Sequence, residues 1–326
     1  MAQFNLKEAG ELLAQELEKR AYGDAPENLY APLRYILSLG GKRLRPALTL
    51  LGCYLFDDDY KKAVEPAIGV EVFHNFTLMH DDIMDDAPLR RGQMTVHEKW
   101  NPNIAILSGD VMFVKAYDYI MQVEDNVLRS AISLFNKCAT EVCEGQQFDM
   151  DFEERAIVSE EEYIEMIRLK TAVLIGFALR LGALIGGASE EQSKVVEEFG
   201  VNVGLGFQLK DDILDVYADQ DKFGKQVGGD IISNKKTLML IKALKQAKGA
   251  DKAELLKWLE VKEFDKVEKV KAVTAIYDRL DIKEMATSKS NEYFDKGFTA
   301  LQKLDVPDNR KQLLKEFGIY LQNRDH

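Results

Sequence analysis

Proline is scarce where a multidomain chain would be expected to show it. The chain has 326 residues but only 7 prolines, none between Pro102 and Pro307, and no Gly/Ser-rich linker breaks that span. This argues against a chain cut into separate domains by flexible connectors. Cysteine is also sparse: Cys53, Cys138 and Cys143 are odd in number and lack metal-ligand spacing, which excludes a disulfide framework or a cysteine zinc site and leaves buried thiols in a reducing cytoplasm. No run reaches the roughly 18 apolar residues of a spanning helix; the longest candidate, Leu174 to Ile185, is interrupted by Arg180. Residues 1–20 are amphipathic with several glutamates and lack the pattern of a signal or transit peptide. The formal net charge of −12 leaves no broad basic surface for nucleic acid or anionic lipid. A Gly-x-x-x-x-Gly-Lys-Ser/Thr loop is missing, and with histidine only at 74, 80, 97 and 326 no Ser-His-Asp set stands out.

What is abundant is helical periodicity. Apolar residues recur at helical spacing almost throughout, as at Val195, Phe199, Val203 and Phe207. The pattern predicts a single all-α domain over residues 1–326, with helices over about 5–20, up to 39, 44–55, 62–86, 103–121, 126–148, 159–184 and 189–216. Ser159-Glu160-Glu161-Glu162 fits a capping box. The segment 218–234 is the longest irregular stretch, and its glycines beside lysines suit a mobile phosphate-binding loop.

Acidic residues are concentrated in two related stretches. His80-Asp81-Asp82-Ile83-Met84-Asp85-Asp86 returns as Lys210-Asp211-Asp212-Ile213-Leu214-Asp215, each with carboxylates at i, i+1 and i+4. On a helix, i and i+4 share one face, where like charges repel. Both clusters lie inside apolar runs, so a solvated acidic helix end is the weaker reading and cation binding the stronger. Ligands that are all carboxylates point to Mg²⁺, with Mn²⁺ as the alternative.

Basic residues gather close to these acids: Lys42, Arg43 and Arg45 after Gly40-Gly41, Arg90 and Arg91 after Pro88, and Lys225, Lys235 and Lys236 after the second cluster. Each could be a solvated basic turn, and Arg90 and Arg91 could simply pair with Asp85 and Asp86. Lys170 alone reads as a snorkelling lysine. Together with bound cations, however, the set suits a polyphosphate, and without an activated nucleophile the chemistry it implies is electrostatic withdrawal of a diphosphate leaving group. Phe73, Phe76 and Thr77, one and two turns before Asp81, are placed to line a pocket for a hydrocarbon tail, or else pack as ordinary core.

The ordered set resembles the trans-type isoprenyl diphosphate synthases, the polyprenyl synthetases. It comprises Gly40-Gly41-Lys42-Arg43-Leu44-Arg45-Pro46, His74, Asp81-Asp82-Asp85 with Arg90-Arg91-Gly92, Gly145-Gln146, Lys170-Thr171, Phe207-Gln208 with Asp211-Asp212-Asp215, Gly224-Lys225 and Lys235-Lys236-Thr237. The resemblance implies an all-α isoprenoid-synthase-type bundle around a deep central cavity, working as a cytoplasmic homodimer. It implies that Asp81, Asp85 and Asp211, supported by Asp82 and Asp215, hold about three Mg²⁺ ions on an allylic diphosphate. Arg90, Lys170, Lys225 and Lys235 are expected to cradle that diphosphate, with Thr171 and Gln208, beside Phe207, near the reacting carbon. Lys42, Arg45, His74 and Arg91 are expected to bind isopentenyl diphosphate. In such enzymes the residues four and five before the first aspartate limit the product; Thr77 and Phe76 suggest geranylgeranyl diphosphate, with farnesyl diphosphate close behind.

Three departures stand out: Asn234 occupies a position where many members have glycine, Asp86 adds a further acid after the first cluster, and the last basic residue before the terminal histidine is Arg324 with Asp325 beside it, which implies weaker help from the tail in closing the site. A terpene cyclase would carry a different second motif, and a non-catalytic partner subunit would be expected to have lost one cluster. A di-iron bundle needs two Glu-x-x-His units, and only Glu71 with His74 forms one.

Overall fold

The computed structural model describes residues 4–218 and 228–324. They form an all-α fold whose only strands, among the described residues, are a two-residue pair. The chain divides into two compact units, Met1–Cys138 with Phe177–Glu197, and Ala139–Gly176 with Glu198–His326.

In the first unit α1 (Leu6–Glu18) starts at Asn5, whose side chain accepts from the Lys7 and Glu8 amides. Helices α2 (Glu27–Ser38), α3 (Leu44–Tyr54) and α4 (Val64–Met84) follow, the last preceded by a 3₁₀ turn, Tyr60–Ala63. α3 buries every residue from Pro46 to Tyr54, and α4 buries Pro66 to Phe73 without a break. A helix apolar all round has no solvent face, so these two are the inner helices of this unit. α4 packs along α6 (Pro102–Ile120), which begins with Pro102 in its first turn and Asn101 capping the Ile104 amide at 2.9 Å. Between them lie strands β1 (Leu89–Arg90) and β2 (Gln93–Met94) and the short α5 (Val96–Lys99).

α7 (Asp125–Glu154) runs six residues beyond the expected end. The single helix expected over 159–184 is three pieces: α8 (Glu160–Ile167), with its capping box at Ser159 present, a π-helical turn Arg168–Ala172, and α9 (Val173–Ile185). α10 (Glu190–Tyr217) carries the second acidic stretch. A helical turn, α11 (Gly229–Ile232), occupies part of the segment expected to be irregular, and α12 (Leu238–Gln246), α13 (Gly249–Glu260), α14 (Lys266–Arg279), α15 (Ile282–Leu301) and α16 (Asp308–Gln322) complete the chain. The core of the second unit gathers Tyr163, Met166, Leu205, Leu209, Leu238 and Tyr277. Among the described residues, no helix is long and apolar enough to cross a membrane.

Candidate active site

α4 ends at its first acidic stretch, with Asp85 as the C-cap. Carboxylates are unfavourable at a helix C-terminus, and the structure answers with a cation. Arg90 Nε donates to both oxygens of Asp82 (2.8 and 2.9 Å), and its Nη2 lies 3.8 Å from Asp81 Oδ2. Asp82 is 2% exposed, so its carboxylate is spent on orienting Arg90, while Asp81 is partly exposed and Asp85 exposed. Arg90 thus pairs chiefly with the buried Asp82, while the Asp81 and Asp85 charges also act on it.

Arg91 goes elsewhere. Leu89 pairs with Met94 and Arg90 with Gln93, so Arg91-Gly92 is a two-residue hairpin turn, with φ of 53° and 74°. Two successive positive φ values define the primed turn that matches strand twist, and Gly92 is the residue type that takes one of them without strain. The turn delivers the Arg91 Nη1 to the Gly40 carbonyl. On the same side Arg45 Nη1 meets His74 Nε2 at 3.1 Å. Burial, then the charges of Arg45, Arg91, Arg90 and Arg43, hold the His74 imidazole well below its usual range. Burial and Arg43 likewise push the Arg91 guanidinium down. Crowding of these groups disfavours their positive charge, a cost that a bound anion would relieve. Lys42 is exposed beside this group. Arg43 is not part of it: it is buried, donating to Glu71 Oε1 and to the Leu37 carbonyl, both at 2.5 Å. Glu71 and His74 therefore face different partners, which removes the di-iron reading.

Below these groups on α4, Phe76 stacks on Phe113 of α6 at 5.1 Å and 17°, with Phe73, Tyr117 and Phe135 behind. Thr77 donates to the His74 carbonyl at 2.8 Å. Phe113, not anticipated from sequence, doubles the aromatic layer at Phe76.

In the second unit the π turn presents Lys170 and Thr171. A side chain on Gly145 would come within 2.2 Å of the Lys170 backbone nitrogen, so α7 can approach the turn only with glycine there. Lys170 Nζ is 2.6 Å from Asp149 Oδ2, one turn after Gly145, and Lys235 Nζ is 3.5 Å from the same oxygen. Burial would raise the Asp149 carboxyl, but Lys235 and Lys170 outweigh it and hold it below the ordinary range. Lys170 is thus an anchored cation, not a snorkelling one.

Thr171 Oγ1 donates to Gln208 Oε1 (3.1 Å), Gln208 Nε2 donates to Asp212 Oδ1 (3.1 Å), and the Tyr163 hydroxyl donates to Asp212 Oδ2. Burial and the Asp230 charge push Asp212 well above the usual carboxylate range, and with both oxygens accepting hydrogen bonds it is a fixed partner for Gln208. Asp215 Oδ2 accepts the Asp230 amide at 2.9 Å, and Arg324 Nη1 lies 2.7 Å from Asp211 Oδ1 with its guanidinium 5.1 Å from the Phe207 ring. The tail therefore reaches the second acidic stretch through a direct ion pair. Asn234 has φ 56°, which explains a position that favours glycine, and the buried Lys269 holds its side-chain oxygen at 2.7 Å, fixing the approach to Lys235. Lys225 lies outside the described residues. Asp149, Tyr163 and Lys269 were not foreseen; only the one-turn spacing of Asp149 from Gly145 offered a signal.

The donor chemistry suits a hard divalent ion: Asp81, Asp85, Asp211 and Asp215 offer carboxylate oxygens, and Asp81 and Asp211 already sit against guanidinium groups. An all-α chain with two acidic stretches, each set among basic side chains, has the apparatus of a metal-dependent enzyme acting on diphosphates. The sequence profile of the polyprenyl synthetase family matches residues 26–277, and the chain belongs to that family. A geranylgeranyl pyrophosphate synthase of Geoglobus acetivorans is 37% identical over 332 residues, covering 98% of each chain. A crystal structure of a geranylgeranyl pyrophosphate synthase superposes with a TM-score of 0.94 at 40% identity, covering 99% of this chain and 100% of that one. A geranylfarnesyl diphosphate synthase of Natronomonas pharaonis is 35% identical over 98% of this chain and 97% of its own. The protein is a prenyltransferase of isoprenyl diphosphates, from a family that uses divalent metal ions.

Proposed function

We propose that the chain joins isopentenyl diphosphate head-to-tail to an allylic diphosphate and releases geranylgeranyl diphosphate. The observation that carries this is the divergence of Arg90 and Arg91. One arginine turns to the carboxylates and the other to the Gly40 loop with Arg45 and His74. A cyclase needs one diphosphate pocket, whereas elongation needs two, one served by metal and one by protein cations alone.

In this reading Asp81, Asp85 and Asp211, with Asp82 and Asp215 supporting, hold about three Mg²⁺ ions. Mg²⁺ bound there would neutralise the allylic diphosphate and draw charge from its departing oxygen. Arg90, Lys170, Lys225 and Lys235 bind the same diphosphate, Asp149 keeping Lys170 and Lys235 aimed. Lys42, Arg45, His74 and Arg91 hold isopentenyl diphosphate with its double bond towards the allylic carbon. Thr171 and the Gln208 oxygen stabilise positive charge as the allylic C–O bond breaks and the new C–C bond forms. The proton then lost from the isopentenyl unit passes to the departing pyrophosphate. Phe76, backed by Phe113, sets the twenty-carbon limit, and Thr77 leaves room for the tail above it; names of relatives span the twenty- and twenty-five-carbon products.

A homodimer is part of the proposal, supported by Leu107 and Val114 on α6 and Met121 at its C-cap, which recur every seven residues and are 58%, 61% and 45% exposed. The test of function is incubation with isopentenyl diphosphate, Mg²⁺ and each of dimethylallyl, geranyl and farnesyl diphosphate, with products sized after dephosphorylation. A linear twenty-carbon alcohol is expected. Mg²⁺-dependent diphosphate binding without elongation from any primer would overturn the reading.

A further inference from the structure

Asp86, His97 and Glu98 lie outside the groups assigned above, yet their potential ligand atoms all fall within 4.8 Å of one another. Among the described residues no other set of three histidine, cysteine or acidic side chains converges in this way. His97 is 7% exposed, and neither ring nitrogen has a hydrogen-bond partner. Its Nε2 is 3.7 Å from Glu98 Oε1, too long for a hydrogen bond. A buried imidazole is normally satisfied, so this one is missing a partner on the side where two carboxylates converge.

We propose that Asp86, His97 and Glu98 form a second metal site, for a borderline divalent ion such as Zn²⁺. One imidazole and two carboxylates with water in the open position suit such an ion better than Mg²⁺, which favours oxygen alone. Asp86 and Glu98 are both exposed, so small side-chain rotations close the set around one ion.

The placement gives the site a purpose. Asp86 follows the end of α4 and His97 lies in α5, so an ion on both closes the segment 86–97, which holds the Arg90–Arg91 hairpin. Two bonds already fasten this loop: Thr95 donates its amide to the Pro88 carbonyl (3.1 Å) and its hydroxyl to the Ala87 carbonyl (2.7 Å). The ion adds a clasp outside them, and it stabilises the arginine hairpin without touching substrate.

The test uses the full chain in saturating Mg²⁺, so that the Asp81 and Asp211 sets are occupied, titrated with Zn²⁺ and read by zinc X-ray absorption and melting temperature. A single tight equivalent with one imidazole in its shell is expected, together with a raised melting temperature. Asp86→Asn and Glu98→Gln alter exposed side chains and are expected to weaken Zn²⁺ binding about tenfold or more; Glu98→Gln retains Mg²⁺-supported turnover. His97→Asn, checked for native helix content, is expected to lose the imidazole signature. An all-oxygen shell, or Zn²⁺ affinity unchanged in both carboxylate variants, would overturn the proposal.

Discussion

Asp211 carries a guanidinium where the proposed chemistry needs a metal. Arg324 sits 2.7 Å from it, so Mg²⁺ must displace a charge-assisted hydrogen bond before it can bind there. Arg324→Ala is accordingly expected to lower the Mg²⁺ concentration for half-maximal activity, by roughly threefold to tenfold for a partly exposed ion pair. A Mg²⁺ titration of turnover checks this, and an unchanged or raised requirement would contradict it. His74 allows a second expectation. Its folded pKa is depressed, so the folded protein refuses a proton that the unfolded chain accepts near pH 6.5. Stability from this residue is therefore complete above that pH and is lost as pH falls towards the folded value. Melting temperatures taken between about pH 7.5 and about pH 5.5 should fall less for His74→Gln than for the parent protein. Residue identities at both places were legible in the sequence, because charge in an apolar run has few uses. Their partners were not: Asp82 with Arg90, Asp149 with Lys170 and Tyr163 with Asp212 join residues 8, 21 and 49 positions apart.

At the scale of elements, periodicity predicts helices well and their interruptions poorly. The π turn at Arg168–Ala172 leaves the apolar pattern on either side intact, so nothing in the spacing announces it, yet it presents Lys170 and Thr171. The hairpin is too short for an alternating pattern, although Arg91-Gly92 is a turn signal in hindsight. Gly92 at φ 74° gives the hairpin its test. Gly92→Ala should cost roughly 1–2 kcal/mol of turn stability. Because both arginines depend on the turn, KM should rise for both substrates together while helix content stays native. A rise for one substrate alone would show that the turn does not set both.

For the whole molecule, composition excluded much and could not supply topology. The shortage of proline and the helical spacing pointed to an all-α chain, which the structure has; the order of motifs pointed to the family, which the comparisons show. The exposed stripe on α6 predicts a particle of about twice 37.0 kDa by light scattering, and Val114→Glu should shift it to the single mass. A parent protein already at the single mass would remove the dimer from the account.

The central claim is that neighbouring arginines serve different diphosphates. Steady-state kinetics of Arg90→Ala and Arg91→Ala, with each substrate varied in turn, test it most directly. The account predicts that Arg91→Ala raises KM for isopentenyl diphosphate by roughly 10- to 100-fold with little change for the allylic substrate, and that Arg90→Ala does the reverse. Equal effects of both substitutions on both substrates would contradict it.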